Sequence, residues 1–106
     1  MPSVSRLQSF HAAIAHVGRI VAQADWDARP TFCYRLRMAL REALGNVHLN
    51  DEIEQRSRAV IRAAEHFSNA LRPNFTPSRV ELTARIEELE TAGAEAIESH
   101  ERARAA

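Results

Sequence analysis

The sequence has no lysine, one cysteine, three glycines and four prolines in 106 residues. Each scarcity excludes something. A lone Cys33 closes no internal disulfide and supplies no cysteine pair for a metal. Three glycines leave little material for a phosphate-cradling loop. Neither a dinucleotide-binding glycine motif nor a P-loop occurs, and the serine-hydrolase elbow is missing too. Low glycine and proline exclude a collagen-like or low-complexity chain. The 14 basic and 14 acidic residues cancel, which excludes a highly charged disordered tail. No apolar run approaches the roughly 18 residues of a membrane helix. Met1 to Phe10 shows no basic start followed by an apolar stretch, so no signal peptide is read and a cytoplasmic location is expected.

What is present points to helices. Apolar residues make up 45%, enough for one core, and the length suits a single domain over residues 1–106. Alanine and glutamate are abundant, and both lose little entropy in a helix. Every basic residue is arginine. A GC-rich genome explains that blandly; selection for planar, bidentate contacts to phosphate or carboxylate explains it more sharply.

Four apolar stripes with helical spacing follow one another. Leu7, Phe10, Ile14, Val17, Val21 and Ala24 mark a first helix over about residues 4–24. Phe32, Leu36, Leu40 and Leu44 mark a second over about 28–44, with Asp27 as a capping residue, Pro30 in its first turn and Gly45 with Asn46 as a left-handed stop. Ile53, Val60, Ala64, Phe67 and Leu71 mark a third over about 51–71, capped by Asn50 or Asp51. Pro73 and Pro77 then bracket a loop. Thr76, or Ser78 with Glu81, caps a fourth helix over about 77–104. Its stripe runs through Leu82, Ile86, Leu89, Gly93, Ala96 and His100 and weakens toward the end. No stretch alternates with period two. Short connections favour antiparallel neighbours, so the expected fold is all-α, a four-helix up-down antiparallel bundle with a long C-terminal helix.

Charge is uneven along the chain. Met1 to Arg79 holds an excess of arginine, and Val80 to Ala106 an equal excess of glutamate. Four acid-first pairs at i, i+4 spacing, Glu52–Arg56, Glu54–Arg58, Glu81–Arg85 and Glu98–Arg102, support exposed helices by a few tenths of a kcal/mol each. The second helix differs: Arg29, Arg35, Arg37 and Arg41 stand against one acid, Glu42. With Trp26, Phe32 and Tyr34 nearby, that group is the candidate nucleic-acid contact.

The search for chemistry returns little. His11 and His16 are five apart and diverge on a helix, and no Glu-x-x-His occurs, so no metal site is read. Cys33 lies on an apolar repeat and reads as a small hydrophobe. An Arg followed by four to six residues and a His is the signature of the HEPN ribonucleases, which are small helical bundles. It occurs here twice, at Arg6 with His11 and at Arg41 with His48. About two such matches are expected by chance in a chain this rich in arginine. Leu7 stands where that family places a polar residue, and the second match crosses the Gly45 helix stop.

The reading that follows is a non-catalytic helical interaction protein that docks on a larger assembly or self-associates, as an accessory subunit or an inhibitor or adaptor of the phage type. No cofactor, metal or small-molecule substrate is expected. Trp26, Leu89, Ala96, Ile97 and His100 are the candidate protein interface. The alternative is a nucleic-acid-contacting subunit of a nucleoprotein complex; in size and helical class the chain looks broadly like the small subunits of RNA-guided CRISPR effectors. A HEPN-like ribonuclease is the third reading.

Overall fold

In a computed structural model the described residues are 4–45 and 49–105. They form four helices and no strand: α1 (Val4–Ala22), α2 (Arg29–Leu44), α3 (Asp51–Ser68) and α4 (Arg72–Ala105). The helices run alternately up and down. α4 is the spine: α1 and α3 both pack along it, α2 leans on α1, and of the neighbouring pairs α2 and α3 touch least. The antiparallel sense of α1 on α4 is visible where Gly18 lies against Ile86 and Glu90, and Gly93 against His11. The bundle measures 52 × 20 × 19 Å. Its long axis matches α4, whose 34 residues span about 51 Å at 1.5 Å per residue.

The expected stripes form the core. Leu7, Phe10, Ile14, Val17 and Val21 of α1 are buried against Leu82, Ile86 and Leu89 of α4, with Ile53, Val60 and Phe67 of α3 and Phe32 and Leu36 of α2 completing it. Ile20, off the predicted stripe, is buried as well. α1 therefore presents a wide apolar face to two neighbours, α2 and α4.

Helix ends differ from expectation for local reasons. α1 stops at Ala22 because Gln23 and Ala24 donate their amides to the carbonyls of Ile20 and Val21, tightening the last turn; Ala24 stays buried outside the helix. Ala28, not Asp27, occupies the α2 cap position and makes no side-chain bond. The aspartate that acts here is Asp25, whose Oδ1 accepts the Asp27 amide at 3.2 Å. Asn50 caps α3 as expected, its Oδ1 accepting the Ile53 amide at 2.8 Å. α3 ends at Ser68, where Asn69 folds back and donates its side-chain amide to the Glu65 carbonyl at 2.9 Å. Leu71, the predicted end of the α3 stripe, is 70% exposed.

The largest correction is at the start of α4. The segment between Pro73 and Pro77 is helical, and Ser78 is buried inside the helix rather than capping it. Pro73 fits because a first-turn residue needs no amide donor. Pro77 forfeits one backbone bond, yet the helix persists because Phe75 is buried between Phe67 and Trp26. Tertiary packing overrides the local preference there.

Gly45 also departs from expectation. Its φ of −71° is not left-handed. It is glycine for lack of space: a Cβ would stand 2.6 Å from the Arg41 carbonyl oxygen, which already accepts the Gly45 amide. Its predicted companion in the stop, Asn46, and the connecting Val47 and His48 lie outside the described residues.

Candidate interaction site between the second and third helices

Four aromatic rings close one end of the bundle. Phe32 meets Phe67 edge-on at 5.5 Å, Phe67 lies tilted on Phe75 at 5.0 Å, and Trp26 meets Phe75 edge-on at 5.6 Å. These rings come from α2, α3, α4 and the turn before α2, so one cluster ties all three helices to that turn. Arg79 fastens the junction further by donating to the Ala24 carbonyl at 3.2 Å.

Beyond the Phe32–Phe67 contact the seam between α2 and α3 opens into a groove of about 420 Å³. Leu36, Leu40 and Leu44 form its α2 wall, and Ile61, Ala64 and Ser68 its α3 wall. Arg37 and Arg41 rim one side and Glu65 the other. The opening has a steric cause. Ala64 and Ser68 are too short to fill the space beside the leucines. The guanidinium groups of Arg37 and Arg41 stay in water because burying them unpaired is costly. Ile61 is left 40% exposed, and Tyr34 and Met38 extend the exposed surface of α2.

The structure divides the arginine group that the sequence suggested. Arg37 and Arg41 share the groove rim. Arg35 is exposed but not part of it; two residues of helix turn it about 160° from Arg37. Arg29 is engaged elsewhere, its guanidinium lying 4.1 Å from the Trp26 ring centre as a cation–π pair. Among the described residues, no carboxylate lies within ion-pair distance of Arg35, Arg37 or Arg41.

The other candidate interface residues are mostly internal. Leu89 is fully buried. Trp26, Ala96 and Ile97 are partly buried and pack on the core. His100 is half-buried, and only the five residues after it, 101–105, are uniformly exposed. The C-terminal helix is long because α1 covers much of it, so its length does not mark a large unpartnered surface.

Acidic side chains collect on the opposite side, along the α3–α4 seam, where Glu52, Glu87, Glu88 and Glu95 border one shallow depression. Arg85 bridges Glu81 at 3.0 Å and Glu88 at 2.8 Å. The Glu54–Arg58 and Glu98–Arg102 pairs form at 2.7 and 3.0 Å. Arg56 does not pair with Glu52; it crosses to Glu88 at 3.4 Å.

The candidate chemical residues are not gathered. His11 packs on Gly93, His16 and His66 are exposed, and Cys33 is half-buried against the core. Among the described residues, no group of three or more His, Cys, Asp or Glu is placed to hold a metal ion. Arg6 and His11 sit on α1, while His48 lies outside the described residues. No helix among the described residues is long and apolar enough to cross a membrane.

The groove was missed by sequence reasoning. Its signal was present in Leu40 and Leu44, which drift from the line of Phe32 and Leu36 toward Arg37 and Arg41, and in the off-stripe Ile61 beside small residues. Compared with known proteins, the chain matches no family model, no curated protein and no solved structure.

Proposed function

We propose that this chain is a helical docking protein that acts by binding another protein and performs no chemistry of its own. The observation that carries this reading is the α2–α3 groove, with half-buried Leu40 and Leu44 and exposed Ile61 beneath two arginines that have no ion-pair partner among the described residues. An apolar surface rimmed by polar groups is how a soluble domain presents a binding site. The nucleoprotein alternative rests on the same arginines. It is weaker because Arg29 is stacked on Trp26, Arg35 points elsewhere, and among the described residues no aromatic side chain lines the groove to stack on a base.

The test is native-level affinity purification from the protein's own cells without nuclease. Size-exclusion chromatography with light scattering and two-wavelength absorbance follows, for wild type and Ile61→Asp in parallel. The docking reading expects a nucleic-acid-free complex or oligomer that the substitution dissolves. Co-eluting nucleic acid released by high salt, and unaffected by Ile61→Asp, overturns it in favour of a nucleoprotein subunit. A complex equally present in both samples places the binding surface elsewhere and removes the groove as its basis.

A further inference from the structure

We infer that the α2–α3 groove receives an amphipathic, acidic α-helix from a partner protein. The inference rests on the docking reading above and adds to it the chemistry of the occupant.

The apolar walls set the first requirement. Leu36, Leu40, Leu44 and Ile61 line the groove with hydrocarbon over about 12 Å of α2. Burying large apolar side chains there removes both surfaces from water. The backbone sets the second. Both walls are helices whose amides bond within the helix, and even the Gly45 amide is used, on the Arg41 carbonyl. An extended peptide would find no sheet edge to pair with and would press unpaired amides against leucine. A helical occupant satisfies its own backbone and presents anchors at i, i+3, i+4 and i+7.

Charge sets the third. Arg37 and Arg41 are one helical turn apart on one rim, with no carboxylate bound to either among the described residues. On the α3 side Glu65 rims the groove and Arg58 is held by Glu54 at 2.7 Å, so the free positive charge lies on the α2 rim. Guanidinium pairs best with carboxylate, in a planar two-point contact, so acidic residues on the flank of the occupant that meets α2 complete the site.

A second copy of this chain fits poorly. Two grooves face to face would oppose Arg37 and Arg41 to their own copies about an axis across the groove, and about an axis along it would offer the two arginines a single acid, Glu65. In the acidic stretch of α4 between Glu87 and Ser99 the apolar residues larger than alanine are Leu89, fully buried, and Ile97, half-buried against the core, so that stretch offers too little to fill a leucine-lined groove.

The experiment uses the intact protein and a fluorescent synthetic helix with leucines at i, i+4 and i+7 and glutamates along one flank, with a version carrying lysines in their place as control. Fluorescence anisotropy at low and high salt reads the affinity. Circular dichroism confirms that each variant is folded. The expected result is saturable binding of the glutamate peptide, weakened at least about tenfold by Arg37→Glu with Arg41→Glu, weakened by salt, and lost in Ile61→Asp. The lysine peptide should bind the doubly charge-reversed variant better than it binds wild type. Absence of saturable binding to wild type overturns the inference. So does equal binding of the two peptides, or binding indifferent to the arginine pair. A single-stranded RNA that binds Arg37 and Arg41 while the peptide does not overturns it as well. If Ile61→Asp dissolves the cellular complex but peptide charge has no effect, docking at the groove stands and the acidic helix falls.

Discussion

The seam between α2 and α3 holds two contrasting stretches within one pair of helices. At one end Phe32 and Phe67 meet edge-on, and the contact continues through Phe75 to Trp26. At the other end leucines face Ala64 and Ser68 across an unfilled groove. Both walls of both stretches are apolar. What differs is reach: an aromatic ring spans the distance between the helices, and an alanine or a serine does not. The closed stretch is built for stability. The open stretch leaves apolar area in water, which no stability argument explains, and that difference makes it the candidate site.

Removing a ring from the closed stretch has the largest expected effect. Phe67 touches both Phe32 and Phe75 and is almost fully buried. Phe67→Ala should cost about 3–5 kcal/mol, measured by urea denaturation. That is a large share of the stability of a domain this size. An effect below about 1 kcal/mol would mean that the cluster is loosely packed and that the contrast with the groove is overdrawn. Trp26→Ala comes next, at about 2 kcal/mol. It removes the edge contact with Phe75 and the stacking partner of Arg29.

Filling the open stretch tests the comparison from the other side. Ser68→Leu places a larger apolar side chain on the α3 wall, opposite Leu36 and Leu40. Cavity filling of this kind stabilises by about 0.5–2 kcal/mol. The variant should gain stability in denaturation and lose the acidic peptide. Stability gained at the expense of binding is the expected signature of a surface kept open for a partner.

The periodic stripes made much of this fold legible in the sequence. Leu7 through Val21, Ile53 through Phe67 and Leu82 through Leu89 are core because apolar residues at helical spacing must share a face. What was not legible depended on distance between helices, which no single helix encodes. Pro73 and Pro77 read as a loop because their local preference is to end a helix; the burial of Phe75 reversed that. The arginines of α2 read as one group because they are close in sequence, while the helix sends Arg35 and Arg37 to different sides. The interface candidates Leu89, Ala96 and Ile97 read as surplus apolar surface on an overlong helix. α1 runs antiparallel beside α4 and covers much of that length. The groove left only the drift of Leu40 and Leu44 and the off-stripe Ile61 as a trace, because a leucine stripe looks much the same whether or not its neighbour fills the space beside it.

The smallest expected effect on stability separates the two stretches most cleanly. Arg37→Gln with Arg41→Gln removes two charges from the groove rim and leaves the leucines in place. Neither arginine has an ion-pair partner among the described residues, so no intramolecular contact is lost. Exposed side chains of this kind change stability by within about 0.5 kcal/mol. The melting temperature should therefore stay nearly constant while affinity for the glutamate-flanked helix falls and its dependence on salt flattens. A marked loss of stability would mean that the arginines brace α2 against α3, and the groove would then be a structural seam like its aromatic end. Unchanged stability with weakened binding assigns the two arginines to a partner, in keeping with their lack of an ion-paired acid among the described residues.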